Sequence, residues 1–320
     1  MRRRLVARIW QSLIVVFVVT TISFVLIRAA PGDPFSYEGT GVTPAVRAHW
    51  RAQFGYDRPL AEQYVRYLAS VAHGDFGYSP RWHLPVSSVL ATVVPRTLLL
   101  TGIALALSLA FGIVIGVLQA VHRDGWFDRV SSGVLLTLYS LPDFWGALMA
   151  LLIFAFWWPV LPAGGIVDPV VHDYLTAWPA ALDRLRHLIL PVGALTLMII
   201  AGVTRFQRAA LLDVLPADYV RTARAKGLSD RRVIWRHALR TALTPMITML
   251  GVMFPALLGG ALFVEKVFQW PGMGLAAASA ITSSDYDLVV ATVIIGSVMV
   301  VVGNLIADLF HAALDPRVRE

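Results

Sequence analysis

The stretch that decides the fold is TLLLTGIALALSLAFGIVIGVLQAV, residues 97–121, which holds no Asp, Glu, Lys or Arg over 25 residues. A helix rises about 1.5 Å per residue and the hydrocarbon core of a membrane is about 30 Å thick, so about 20 apolar residues cross it. Lipid offers no partners to backbone N–H and C=O groups, whereas a helix pairs these groups internally. The stretch therefore predicts a transmembrane helix.

Five more apolar stretches follow the same rule. Of the 320 residues, 57% are hydrophobic and 15% are charged, whereas a soluble domain carries roughly 25% charged residues. This composition excludes an ordinary soluble enzyme, a disordered protein and a nucleic-acid-binding module. We predict an all-α integral membrane protein, one domain over residues 1–320, with six transmembrane helices. The predicted spans are about 9–27, 97–121, 131–157, 188–206, 242–264 and 288–308.

The basic residues predict the orientation of the chain. Seventeen lie at the two termini and in segments 122–129 and 205–240, against three in the short segments of the opposite side. Cytoplasmic loops carry the excess of Lys and Arg, and long loops count little. Both termini are therefore predicted to be cytoplasmic. Segment 205–240 becomes the main cytoplasmic loop, and 28–96 becomes a large outside loop between helices 1 and 2.

Motifs for independent chemistry are missing from the sequence. It has no GxxxxGK[ST] loop, no GxGxxG, no GxSxG and no cysteine, and its eight histidines lack metal-ligand spacing. We therefore predict no metal site and no catalytic residue. The ionisable side chain deepest in a predicted span is Asp143, which either lines a cavity or satisfies backbone groups beside Pro142. Gly112 and Gly116 form a GxxxG pattern that permits close helix packing.

The segment around Gly227 has the most informative local pattern. Arg221, Arg224 and Lys226 lie in the later turns of a predicted helix, and Gly227 is the expected stop. Ser229 is expected to cap a second short helix. The small residues of this segment would let it lie close against a partner protein. A solvated basic loop explains the same composition.

The sequence YVRTARAKGLSDRRVIWRHALR, residues 219–240, resembles the coupling loop of ABC-importer permeases, in particular the oligopeptide, dipeptide and nickel branch. The general family pattern places Glu-Ala-Ala three residues before a Gly. Here Arg221-Thr222-Ala223 stands in its place and Gly227 matches. Further motifs that resemble the branch are Pro31-Gly-Asp-Pro34, Asp57-Arg-Pro-Leu60, Gly74-Asp-Phe-Gly77, Leu141-Pro142, Leu190-Pro191, the run from Glu265 to Gly274, and Asp285-Tyr286.

The resemblance implies a type I ABC-importer permease of the bacterial cytoplasmic membrane. Such a chain forms half of a pathway with a second permease, here favoured to be a paralogue. It works with two ATPase subunits and an extracytoplasmic solute-binding protein. ATP and Mg²⁺ belong to the ATPases, so this chain is expected to bind no cofactor and to be no enzyme. The implied ATPase contacts are Tyr219, Arg221, Thr222, Ala223, Arg224, Ala225, Lys226 and Gly227; the pathway residues are Asp143 and Trp145; the outside gate or binding-protein contacts are Asp33, Asp75, Glu265 and Trp270.

Two other classes of function remain as alternatives. A membrane-embedded enzyme needs a polar catalytic constellation inside the spans, and none is visible. An ATPase-independent channel or secondary transporter usually shows internal repeats or more intramembrane charge. The substrate stays open among dipeptides, oligopeptides, nickel chelates, glutathione and opines.

Overall fold

A computed structural model describes residues 2–29, 57–246, 249 and 261–314. These residues are mostly helical. The chain divides into two compact units, which are described separately. The first unit comprises Met1, Arg96–Leu275 and Val302–Glu320, and the second comprises Arg2–Pro95 and Ala276–Val301.

The described elements are mostly long helices joined by short turns. Two short strands form an antiparallel ribbon in which Tyr78 pairs with Pro85. In chain order the elements are α1 (Arg2–Ala29), α2 (Leu60–Ala72), β1 (Tyr78–Ser79), β2 (Leu84–Pro85), α3 (Val86–Val121), α4 (Trp126–Ser140), α5 (Asp143–Leu151), a π-helix (Leu152–Trp157), a 3-10 turn (His172–Tyr174), α6 (Ala177–Val214), α7 (Asp218–Ala225), α8 (Asp230–Arg232), a π-helix (Val233–Ala238), α9 (Leu239–Ala242), α10 (Met273–Thr282) and α11 (Tyr286–Leu314).

Three described helices are long and apolar enough to cross a membrane: Val86–Val121, Ala177–Val214 and Tyr286–Ile306. The first two contain the second and fourth predicted spans and extend beyond them, and the third covers residues 288–306 of the sixth. α1 holds a shorter apolar stretch, Trp10–Leu26, within the first predicted span. Most of the fifth predicted span and the motif Pro31-Gly-Asp-Pro34 lie outside the described residues. The number of six spans therefore stays a prediction.

The third predicted span is not one continuous helix, which corrects the sequence prediction. Helices Trp126–Ser140 and Phe144–Trp157 meet at 105°, so the pair is a broken span or a re-entrant loop. Leu141 and Pro142 are extended between them, and proline has no N–H to continue the helical hydrogen bonds. Asp143 is the first residue of α5. A depth counted along a straight helix therefore does not apply to it.

Close packing of α3 on α6 confirms the GxxxG prediction within the first unit. A Cβ placed on Gly112 would lie 2.6 Å from the Val203 side chain, and one on Gly116 would lie 2.7 Å from the Thr204 carbonyl oxygen. Glycine at these positions lets the two helix backbones approach each other. Nearby, a buried apolar cluster joins Leu100 and Ala104 to Leu195, Val264, Phe268 and Trp270.

In the second unit, α2 packs on α1 through aromatic side chains. The Tyr64 hydroxyl lies 2.6 Å from the Thr21 hydroxyl, and the Phe24 ring contacts the rings of Tyr64 and Tyr67 at centroid distances of 5.2 and 5.3 Å. Burial raises the pKa of the Tyr67 phenol, and the nearby Asp287 carboxylate adds to the effect. These contacts tie α2 to α1.

Candidate functional site

The segment that follows α6 is a helix and a turn, as the sequence predicts around Gly227. α6 ends at Val214, and α7 runs from Asp218 to Ala225. Gly227 follows with φ at +74°, a backbone conformation that glycine adopts without a Cβ clash. Ser229 occupies the N-cap position of α8, although its side chain makes no cap hydrogen bond.

The first part of the predicted cytoplasmic loop is helical: residues 205–214 belong to α6. The charged heads of long side chains reach away from apolar surroundings while the backbone stays helical. The connection between α6 and α7 is therefore short, residues 215–217, and the bounds of the cytoplasmic loop stay a prediction.

α7 has one face in the core of its own chain and one face open. Val220 is fully buried and Ala223 is 7% exposed, whereas Tyr219 is 44% exposed. The spacing of three residues puts Val220 and Ala223 on the same side of the helix. Ala223 therefore packs against this chain, and its expected contact with an ATPase stays a prediction. The exposed residues of the predicted contact set are Tyr219, Arg221, Thr222, Arg224, Ala225, Lys226 and Gly227.

A continuous apolar cluster holds α7 in place. It joins α7 to the end of α3 and to the end of α6, and it extends into the helical segment after Gly227. Arg224 adds an exposed contact, its Nε lying 3.2 Å from Asp230 Oδ1. Exposed ion pairs contribute little to stability, so the apolar contacts carry the anchoring. The buried members are Val117, Ala120, Leu211, Val220, Ala223, Val233, Ile234, Ala238, Leu239 and Ala242.

The two predicted pathway residues lie at the start of α5. Asp143 is the first residue of that helix and Trp145 the third, with the Trp145 side chain 42% exposed. The Asp143 side chain lies outside the described part of the structure. Its assignment to a substrate pathway stays a prediction.

Glu265 and Trp270 are buried in the first unit, and their assignment as outside gate or binding-protein contacts stays a prediction. Glu265 is 0% exposed and Trp270 is 1% exposed. The Thr97 hydroxyl donates to Glu265 Oε1 (2.5 Å) and the Leu275 N–H donates to Oε2 (2.9 Å). Trp270 Nε1–H donates to the Arg96 carbonyl (3.2 Å). Both side chains therefore organise the loop that they belong to.

The glycines of that loop leave space for the Glu265 carboxylate. A Cβ on Gly272 would collide with the carboxylate and with the Thr97 hydroxyl, and one on Gly274 would lie 3.0 Å from Glu265 Oε2. The Met273 N–H donates to Thr97 Oγ1 (2.7 Å). The run from Glu265 to Gly274, found in the sequence as a motif, thus works as a buried structural unit around one carboxylate.

Two other sequence motifs meet in the second unit. The Ser79 hydroxyl donates to Asp285 Oδ2, and a Cβ on Gly77 would collide with the Asp287 carboxylate. Asp75 is exposed and its Oδ1 accepts the Gly77 N–H (3.0 Å), so it closes the local turn. Asp33 lies outside the described residues. The segment that contains the motif at 74–77 therefore contacts the segment that contains the motif at 285–286.

Sequence reasoning missed two polar clusters of the first unit. Arg208 on α6 makes a two-pronged ion pair with Asp128 on α4. His172 Nδ1 lies 2.6 Å from Asp183 Oδ2, and His187 Nδ1 lies 3.2 Å from Asp183 Oδ1. Only the pair 183 and 187 has helical spacing that could have been noticed. Among the described residues no group of three or more His, Asp and Glu side chains is placed to hold a metal ion.

Comparison with known proteins decides the family. Residues 112–320 match the family described as binding-protein-dependent transport system inner membrane component. Residues 1–101 match the N-terminal part described for the membrane component of such systems. The chain belongs to this family. The resemblance found in the coupling segment is thereby confirmed over nearly the whole permease.

Curated relatives cover almost the full length of the permease. The oligopeptide transport system permease protein AppB of Bacillus subtilis (strain 168) is 36% identical over 319 residues, 98% of each chain. The dipeptide transport system permease protein DppB of Escherichia coli (strain K12) is 35% identical over 318 residues, 94% of each chain. The di/tripeptide transport system permease protein DppB of Pseudomonas aeruginosa (strain UCBPP-PA14) is 36% identical over 320 residues, 95% of this chain and 94% of that one.

These matches favour the permease over the two alternatives, the membrane-embedded enzyme and the ATPase-independent channel. The family is the inner-membrane component of binding-protein-dependent transport, and the relatives are transport permeases over their whole length. The protein is a membrane permease subunit of an ABC import system.

Proposed function

We propose that this permease forms half of the translocation pathway of a peptide importer and receives the movement of ATPase subunits through α7. The curated relatives are named as oligopeptide, dipeptide and di/tripeptide permeases, which supports peptides as the substrate class. The complete importer would hold a second, paralogous permease, two ATPase subunits that carry ATP and Mg²⁺, and a solute-binding protein outside the cell. Both termini of this chain are cytoplasmic in this proposal.

The single observation that carries the proposal is the two-faced character of α7. One face is fixed to α3 and α6 by buried Val220 and Ala223. The other face presents exposed residues from Tyr219 to Gly227, next to a turn with positive φ. A short helix fixed on one side and open on the other can enter a groove of a partner and pass its displacement to the membrane helices.

The first test is to purify the tagged chain from its native membrane in mild detergent and to identify its companions by mass spectrometry. We expect a second permease and ATPase subunits, and a binding protein when import is active. Uptake of tritiated dialanine and tetra-alanine by the same cells, with and without the gene for this chain, tests the substrate class. A chain that purifies alone from several detergents, or uptake that is independent of the gene, contradicts the proposal.

Gly227→Ala is expected to reduce peptide uptake without removing the protein from the membrane. An L-residue in the left-handed region costs about 1–2 kcal/mol, which changes an equilibrium about 5- to 30-fold. The turn at +74° would be displaced together with the exposed face of α7. Gly133→Ala on α4 is the matched control, because its Cβ meets nothing within 4 Å and its φ is ordinary. Equal uptake in both variants, at equal membrane levels, contradicts the role of the turn.

Asp143→Asn tests the proposed pathway residue. A carboxylate that faces the ammonium of a peptide contributes about 1 kcal/mol in water and more in lower dielectric, so uptake of dialanine is expected to fall about fivefold. Uptake of N-acetyl-dialanine, which lacks the ammonium, should not change. Asp173→Asn, at an exposed carboxylate of the 3-10 turn, serves as the control. An unchanged preference between the two peptides removes Asp143 from the pathway.

A further inference from the structure

A buried carboxylate joins α4 to α6 close to the segment that carries α7. Arg208 Nε–H donates to Asp128 Oδ1 (2.9 Å) and an Arg208 Nη2–H donates to Asp128 Oδ2 (2.8 Å). The Asp128 side chain is 5% exposed and that of Arg208 is 29% exposed. A two-pronged pair of this kind fixes both the distance and the angle between its partners.

The same carboxylate also organises the turn before α4. The Asp124 N–H donates to Asp128 Oδ2 (2.9 Å), and the Ser132 hydroxyl donates to Oδ1 (3.3 Å). The neighbouring Ser131 hydroxyl accepts from Gln119 Nε2–H of α3 (2.8 Å). The first turn of α4 is therefore tied by polar contacts to both α3 and α6.

Arg208 lies about one helical turn before the apolar cluster that holds α7 in place. Leu211 follows it by three residues on α6, so both lie on nearly the same face of that helix, and Leu211 belongs to the cluster that buries Val220 and Ala223. A displacement of α7 reaches α6 through these apolar contacts. It then reaches α4 through Arg208 and Asp128.

We propose that Arg208 and Asp128 are positioning residues that transmit the movement of α7 to α4, and hence to the break before α5. This inference rests on the proposed function of α7. A largely buried ion pair adds little net free energy of folding, because both charges lose water. Its main effect is therefore to fix the position of α4 relative to α6. Breaking it should separate ATP hydrolysis from peptide movement.

The experiment compares Asp128→Asn and Arg208→Lys with the unmodified permease. Three quantities are measured: ATPase subunits recovered with the tagged chain, ATP hydrolysis by that complex, and cellular uptake of tritiated dialanine and tetra-alanine. Arg208→Lys keeps the charge and loses the second hydrogen bond. Arg58→Gln is the matched control, because it removes the exposed ion pair with Glu62 on α2.

For Asp128→Asn we expect recovery and hydrolysis close to the unmodified values and uptake about tenfold lower, within the range of ordinary coupling free energies. Uptake by Arg208→Lys should lie between that of Asp128→Asn and that of the unmodified permease, and Arg58→Gln should change none of the three quantities. The inference is overturned if uptake is unchanged, or if uptake falls only in proportion to recovered complex, since that indicates a purely structural role. An unmodified chain that recovers no ATPase or imports neither peptide overturns the proposed function first, and this inference with it.

Discussion

Replacement of Glu265 by alanine is expected to destabilise the permease more than any other single change considered for it. The Glu265 carboxylate is fully buried and accepts hydrogen bonds from the Thr97 hydroxyl and the Leu275 N–H. Hydrogen bonds to charged groups contribute about 1.5–3 kcal/mol each, so their loss costs about 3–6 kcal/mol. The donors would also stay buried without their acceptor.

The measurement is the thermal midpoint of the purified chain in detergent, followed by intrinsic fluorescence, together with its level in the membrane. Glu265→Gln should have an intermediate effect. The amide keeps one acceptor oxygen, but its NH2 group would face a group that donates to the carboxylate in the unmodified chain. Thr97→Val should be milder still, since it removes one hydroxyl. Glu62→Gln, at a side chain 44% exposed, is the control. If Glu265→Ala and Glu62→Gln shift the midpoint equally, the carboxylate does not hold the loop together.

Gly116→Ala is expected to give the second largest loss. The added Cβ would lie 2.7 Å from the Thr204 carbonyl oxygen and 3.1 Å from the Arg208 nitrogen, and backbone atoms cannot rotate away. Overpacking of this kind costs about 1–3 kcal/mol. The separation of α3 from α6 would also disturb the neighbourhood of Arg208, so peptide uptake should fall along with stability.

Two glycines of the same helix provide an internal scale for this prediction. A Cβ on Gly112 would meet mainly the Val203 side chain, whereas one on Gly102 would meet nothing within 4 Å. The expected order of destabilisation is Gly116→Ala, then Gly112→Ala, with Gly102→Ala neutral or stabilising by up to about 1 kcal/mol through helix propensity. The thermal midpoints of the three variants check it. A loss for Gly102→Ala as large as for Gly116→Ala refutes the close approach of the two helices.

The sequence alone determined the class of the protein and its local conformations. Long runs without charge predict helices, because a helix pairs backbone groups that lipid cannot. The stop at Gly227 and the close approach at Gly112 and Gly116 were predicted for a similar reason: a missing Cβ has consequences that depend on the residue itself and its immediate neighbours. The ordered motifs predicted the family, and the comparisons confirmed it.

The break between α4 and α5 could be predicted only in part from the sequence. Pro142 marked a possible kink in the sequence, but the size of the turn, 105°, depends on what packs against each half. The extent of α6 depends on tertiary contacts in the same way. The arginines at its end do not stop the helix, because Arg208 pairs with the Asp128 carboxylate and the helix continues to Val214.

Only the tertiary structure decided which distant residues meet. Thr97 and Glu265 are 168 residues apart, and Asp128 and Arg208 are 80 apart. It also placed Ala223 on the buried side of α7 and the Glu265 carboxylate in the interior of the first unit. Local sequence determines backbone conformation through neighbours within a turn or two. Burial and polar pairing depend on the path of the whole chain, so they are determined only when the helices pack.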